Sequence, residues 1–491
     1  MGKRVERQEF TREDRRRYRQ KAHRCLDVLG LMLAEDRFDR ERPMTGLEVE
    51  LNLVNGQGLP ALRNTEVLDR IADPAFQTEL GRFNIEVNVE PRRLDGDKLA
   101  GLERELRGAL DAAEARAREA GAGIVMVGIL PTLREEDLGR GALSEDPRYG
   151  LLDEQILAAR GEDIPLEISG PEVLSTLAAT IAPEAACTSV QLHQQVRPER
   201  FAAHWNAAQV LAGVQLAMGA NSPYLLGREL WRETRIPLFT QATDMRSEEL
   251  KAQGVRPRVW FGERWITSAL DLFEENLRYF PALLPLCDEE DPVAVAEEGR
   301  APKLSELALH NGTVYRWNRP IYDTVGGVAH LRIENRVLPA GPTVVDVLAN
   351  GAFYYGCLRS LVEAHRPLWT RMPFRVAEEN FLAAARHGMG ASFTWPEAGR
   401  IAAPDLVLRH LLPLAHEGLE SAGVDADVRD RLLGVIEGRC IARRNGATWQ
   451  VQQCAHLERS GCDRGTALRL LTQRYVELMH SNLPVHQWPV G

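Results

Sequence analysis

From Thr45 to Val54 apolar and polar residues alternate with the period of a half-buried strand. Leu47, Val49, Leu51 and Leu53 face one way; Glu48, Glu50 and Asn52 face the other. Three later stretches repeat the pattern. Phe83 to Glu90 sets Glu86, Asn88 and Glu90 on one face, and Ser189 to Val196 does the same with Gln191, His193 and Gln195. His330 to Val337 lines up His330, Arg332, Glu334 and Arg336. An outward row of Glu and Arg is ordinarily a solvated face. Four strands with His, Asn and Gln beside the acids point instead to a polar site. Two carboxylates on one strand face repel each other unless positive charge lies between them. A divalent cation is the simplest such charge, and hard oxygen ligands suit Mg²⁺ or Mn²⁺. Paired in one sheet, the four fronts form a surface for metal ions and phosphates together.

The rest of the chain is mostly helical in pattern. Thr11 to Asp36 reads as a charged amphipathic helix, and Asn55 to Gly58 as a turn. Thr65 to Ile71 reads as a short helix that Pro74 ends. Glu79 and Glu86 are seven apart, so on an unbroken strand they face opposite ways; Gly81 permits a bulge or bend that brings both to one side. Leu99 to Ala120 is a long helix stopped by Gly121, and Ile124 to Ile129 is a buried strand. Residues 132–165 are polar and irregular. A helix follows from Pro198 to Met218, then a polar run with little period that holds Arg235, Gln241, Asp244 and Arg246. Leu270 to Leu277 is helical, Asp288 to Arg300 is an acidic loop, and Asn311 to Pro320 is a turn with a strand. Beyond Thr343 helices are predicted over 344–363, 378–386, 403–419, 425–436 and 465–480.

With 491 residues the chain has room for roughly two to four domains and a large core. A formal net charge of -10 argues against nucleic acid or an anionic membrane as the main partner. No apolar run is long enough for a membrane span, and the N-terminus has no apolar segment of the secretory kind. Seven scattered cysteines with no Cys-x-x-Cys pair fit a reducing cytoplasm better than a disulfide framework or zinc knuckle. No glycine-rich phosphate loop and no dinucleotide fingerprint occurs, so a bound nucleotide must be held mainly by metal ions and arginines.

The acidic strands, in this order, resemble the glutamate–cysteine ligase family of the glutamine synthetase-like carboxylate–amine ligases. Gly46 to Glu50 is similar to that family's first metal strand. Glu79 with Glu86 resembles its second acidic pair, Leu192 to Gln195 its metal-histidine strand, and Arg332 to Arg336 its Glu-x-Arg strand. Glu379 to Gly388 is similar to a segment of the bacterial branch, so the resemblance covers roughly 45–390. It implies an α+β fold: a curved, mainly antiparallel sheet forming a glutamine synthetase-like funnel, with helices packed behind it. On that basis 1–40 is an N-terminal charged helix, 41–375 the catalytic domain, and 376–491 a helical C-terminal region.

The implied reaction joins a carboxylate to an amine through an acyl phosphate, with ATP as co-substrate and two or three Mg²⁺ or Mn²⁺ ions. Glutamate with cysteine is the simplest substrate pair. Another amine acceptor, a guanidino phosphotransferase, or a non-catalytic binding protein on the same fold are the alternatives. Glu48, Glu79 and Glu86 would hold one metal, and Glu50, His193 and Glu334 another. Arg336 and Arg246 are the catalytic candidates, because a transferring phosphoryl group calls for a planar, permanent cation. Arg235, Arg332, Gln195, Asn88 and Arg386 are candidates for substrate or nucleotide binding. The expected partners are small molecules, with neither nucleic acid nor membrane; a homo-oligomer is left open.

Overall fold

The computed structural model describes residues 10–39, 41 and 43–491. The expectations placed on residues 1–9 lie outside the described residues. The four predicted strands do pair in one sheet. Its order is Asn318–Val325, Val328–Asn335, Val190–Gln195, Thr45–Val54, Asn84–Arg92 and Phe76–Thr78, with Gly123–Val125 against the far end of Thr45–Val54. Every pairing is antiparallel, and the sheet curls into a half-barrel.

Register puts the polar fronts side by side. Glu50 pairs with Glu86, Glu48 with Asn88 on one side and Gln191 on the other, and Glu334 with His193. Gly46 pairs with His193; a Cβ there would make ordinary contact with the His193 Cβ at 3.4 Å. The aliphatic backs Leu47, Val49, Leu51, Leu53, Ile85, Val190 and Leu192 are buried in a core shared with the helices Lys98–Glu119, Pro198–Gly219 and Val344–Glu363. Val344–Glu363 is buried on nearly all sides, and Tyr355 on it donates a hydrogen bond to the His193 carbonyl at 3.1 Å. The helix Arg12–Ala34 opens with a capping box between Thr11 and Asp14. Its Cys25, Val28, Leu29 and Met32 pack with Tyr322, Leu331 and Ile333 of the sheet.

Several elements differ from the sequence pattern, each for a local reason. The stretch 132–165 holds two 3₁₀ turns and a helix, Pro147–Arg160, capped by Asp146. Its buried positions include Asp153 and Arg160 beside Leu152 and Ile156, which erases the apolar period. Arg235–Ala242 is likewise a helix, buried at Arg235, Ile236, Pro237, Leu238 and Phe239, so it too lacks a polar face to read. The run after Val125 leaves the sheet: Tyr475 takes the Met126 carbonyl at 2.7 Å, and Asn52 takes that of Val127 at 3.0 Å. Pro292–Glu297 is a short helix inside the acidic loop. The hairpin Ser392–Trp395 with Gly399–Ala402 and the helix Gly446–Arg459 were not foreseen.

The C-terminal helices join the same core as the sheet, which runs on through Trp449, Tyr475 and Trp488. A buried ion pair, Arg439 to Asp346 at 2.7 Å, ties Ala426–Ala442 to Val344–Glu363. Breaking such a pair by removing one partner costs about 3–5 kcal/mol.

Between Phe76–Thr78 and Asn84–Arg92 the chain turns back, with the Asn84 N–H donating to the Gly81 carbonyl at 2.8 Å. Glu79 and Glu86 therefore lie on the two arms of one hairpin. A Cβ on Gly81 would overlap Asn84 Oδ1 and Ala185 Cβ. Gly81→Ala is expected to lower the unfolding free energy by about 1–3 kcal/mol through overpacking. Chemical denaturation measures this; an unchanged midpoint would show that the hairpin end is slack.

Candidate functional site

Glu50, Glu79 and Glu86 each offer an oxygen, and these oxygens lie within 4.8 Å of one another. The sheet delivers two of them as a cross-strand pair, and the hairpin delivers the third. Glu50 accepts hydrogen bonds from the Ser189 N–H at 2.5 Å and Gln191 Nε2 at 2.9 Å. Glu86 accepts from Gln77 Nε2 at 2.6 Å and Asn88 Nδ2 at 3.0 Å. Burial raises all three carboxyls above the ordinary range. The charges of Glu86 and Glu50 push Glu79 further, and those of Glu48 and Glu50 help bring Glu86 to about 7. Three desolvated oxygens that repel one another are the donor set a hard divalent cation accepts. The residues present thus fit the metal that the resemblance implies.

Beside this cluster the charges are balanced. Arg319 grips Glu334 through Nε at 3.1 Å and Nη2 at 2.8 Å. Arg336 pairs with the same carboxylate, reaches Gln191 Oε1 at 2.5 Å, and comes within 3.8 Å of Glu50. Burial alone would raise the Glu334 carboxyl, but Arg319, Arg336 and His193 hold it far below the usual range. His193 Nε2 lies 3.1 Å from Glu48, off the line of a hydrogen bond. Arg332 Nε donates to His193 Nδ1 at 3.2 Å, which places the ring proton on Nε2. To offer that nitrogen to a metal, the ring must first shed Arg332.

The predicted site residues are therefore divided differently from the two sets expected. Glu50, Glu79 and Glu86 cluster; Glu48 sits with His193, and Glu334 with arginines. Asn88 serves Glu86, and Arg332 spans His193 and Asp323. Gln195 bonds Asp39 at 2.9 Å and the Met44 N–H at 3.2 Å, at the end of the row. Arg235 is buried, bound to Glu233 at 3.1 Å and to the backbone carbonyls of Arg336 and Val337. Two arginines are not brought in. Arg246 forks onto Asp244 at 2.8 Å and reaches the Val255 carbonyl, and Arg386 is exposed over the Trp231 ring at 4.6 Å.

A cavity of about 60 Å³ adjoins the acid cluster, walled by Glu50, Glu79, Glu184, Arg235, Trp317 and Arg336, among others. The sequence pattern did not single out Arg319 or Glu184. Arg319 was findable: Gly326-Gly327, both with positive φ, is a two-residue hairpin turn that sets Arg319 opposite Glu334. Glu184 lies in the 3₁₀ turn Ala182–Ala186 and carries no such signal.

Residues 44–460 match the model of glutamate–cysteine ligase family 2. The chain belongs to that family. The match runs well past the Arg386 segment, where the readable motifs end. No curated protein matches the chain in sequence. Among solved structures the chain is similar to a glutamate–cysteine ligase of Francisella tularensis, determined with AMP. That match has a TM-score of 0.51 and 11% identity, over 91% of this chain and 90% of the other. It is also similar to a bifunctional glutathione synthetase of Pasteurella multocida, with a TM-score of 0.52 and 12% identity. There the match takes in 94% of this chain but only 55% of that one. Such likeness shows the fold. Family membership makes the protein an ATP-dependent ligase forming carbon–nitrogen bonds. Among the described residues no helix is long and apolar enough to cross a membrane.

The raised carboxyls set a pH dependence with a definite sign. Glu86 titrates at about 7 against an ordinary 4.5. Between those values the folded protein holds a proton that the unfolded chain has released, so metal-free stability falls as pH rises through this window. A divalent ion competes with those protons. The rise in Tm on adding MgCl₂ is expected to be larger at about pH 8 than at about pH 5.5, and to vanish in a Glu50→Gln, Glu79→Gln double variant. An equal rise at both pH values would disconnect the cluster from the ion.

Proposed function

We propose that the protein is a glutamate–cysteine ligase that makes γ-glutamylcysteine. The observation that supports this reading is the buried Glu50, Glu79 and Glu86 cluster beside Arg336, in a chain matched by the ligase family over 44–460. In the first step an oxygen of the glutamate γ-carboxylate bonds to the γ-phosphorus of ATP, and ADP leaves. In the second the cysteine amine bonds to the acyl carbon, phosphate leaves, and the amine gives up a proton.

Both reactants of the first step are anions, so the site must neutralise their approach. Glu50, Glu79 and Glu86 would hold Mg²⁺ or Mn²⁺, which supplies that positive charge when bound. Glu48, His193 and Glu334 border this cluster and are the candidates for further ions. Arg336 is the donor for the transferring phosphoryl group. Its guanidinium already spans Glu334 and Gln191 and approaches Glu50, so it is fixed before substrate arrives. Arg319 holds the same carboxylate with a second guanidinium. Arg235 lines the same space with its guanidinium engaged by Glu233 and the carbonyls of Arg336 and Val337, and Asn88 supports Glu86.

ADP release with MgATP, L-glutamate and L-cysteine, scored by product mass, tests the reading directly; γ-glutamylcysteine is the expected product. A product with glutamate and a different amine would replace cysteine and keep the ligase.

Arg336→Lys is expected to lower kcat by about one to three orders of magnitude, the worth of one preorganised donor, while the Kd for ATP shifts far less. Lysine carries the charge but not the fork. An unchanged kcat would remove Arg336 from the chemistry.

A further inference from the structure

Among the described residues, every ionisable side chain on the cavity wall has an ion-pair or hydrogen-bond partner except one. Glu233 answers Arg235, and it also accepts the Asn221 N–H at 2.8 Å and the Ser222 hydroxyl at 2.7 Å. Arg319 and Arg336 answer Glu334, and Arg336 extends to Glu50. Glu50 accepts from Ser189 and Gln191, and Glu79 accepts the Leu80 N–H at 3.2 Å. Glu184 has neither an ion-pair partner nor a side-chain hydrogen bond among the described residues, and its Oε2 is sealed from solvent. Burial pushes its carboxyl up to about 8, against the attraction of Arg336. A bare carboxylate in this position is costly, and a chain gains nothing in stability by keeping it.

The cation that would repay this cost is not the metal of the acid cluster, because Glu184 is not among the residues whose oxygens converge there. Its neighbours on the wall include Ala185, Phe239 and Trp317, the last two with rings 5.8 Å apart. Carbon surface beside a lone carboxylate suits a cation borne on an organic skeleton. We propose that Glu184 receives the ammonium group of an amino-acid substrate in this cavity. The assignment rests on the ligase reading only in that it makes the ligand a substrate. The donor amino acid and the acceptor amine both carry such a group, and the test separates them.

Calorimetric titration of the full chain, with magnesium and a non-hydrolysable ATP analogue present, compares two pairs: L-glutamate with glutarate, and L-cysteine with 3-mercaptopropionate. In the wild type the amino compound of at least one pair is expected to bind about 10- to 100-fold more tightly, the range for a hydrogen bond to a charged group. The pair that shows the preference names the substrate. Glu184→Gln should abolish it, and Glu184→Asp should restore part of it. A preference that survives Glu184→Gln, or its absence from both wild-type pairs, overturns the assignment. Without ligand, Glu184→Gln should melt no lower than the wild type, since it removes an unpartnered carboxyl; a clear drop would mark a structural role and also overturn it. Because binding is read without turnover, an ammonium preference with no ADP release for any carboxylate and amine supports Glu184 while ending the ligase reading. Turnover of amines that are not amino acids, with neither pair preferred, does the reverse.

Discussion

Carboxylates repel, and the repulsion grows when water is excluded. Glu50, Glu79 and Glu86 are nonetheless held with oxygens inside 4.8 Å of one another, with Glu50 and Glu86 both buried. Most of what surrounds them either tolerates or exploits this crowding. Gln191, Gln77, Asn88 and the Ser189 N–H spend their donors on it. Arg336 supplies the nearest fixed positive charge, and Glu334 and Arg319 fix Arg336 in turn. The arrangement keeps its strain because the aliphatic backs of the same strands are fully packed, so no strand can slip by one residue without turning its core face outward.

Further along the same strands the polar face changes character. Beyond Glu50 it becomes a ladder of neutral amides: Asn52 bonds Asn84, Thr188 and the Val127 carbonyl, and no charge remains. On the other side it becomes a row of paired polar groups from Glu48 through His193 to Arg332. One sheet face thus gathers carboxyls at a single place.

Much of this was legible in the sequence. The alternation at 45–54, 83–90, 189–196 and 330–337 marked the four central strands and which side chains share a face. Glu79 and Glu86 were expected to need a break at Gly81, and the chain does turn there. Periodicity failed where burial is nearly complete or where polar residues are buried with apolar ones, as at Arg235–Ala242 and Pro147–Arg160, because the pattern reports only the contrast between a wet and a dry side. How the acids divide among themselves was not legible either. That depends on side-chain reach across strands, as when Arg319 claims Glu334, and not on which face each residue takes. Arg246 shows the same limit, since its pairing with Asp244 two residues away does not follow from periodicity.

The Tyr475 hydroxyl donates to the Met126 carbonyl and accepts from Asn221, and Trp488 packs against Tyr475 with ring centroids 5.1 Å apart. These contacts join segments made far apart in time on the ribosome. The stretch behind the acid strands thus waits, incompletely bonded, through the synthesis of more than three hundred further residues. A nascent chain can pair its central strands long before it can seal them. Until Tyr475 is made, the Met126 carbonyl has only water to bond.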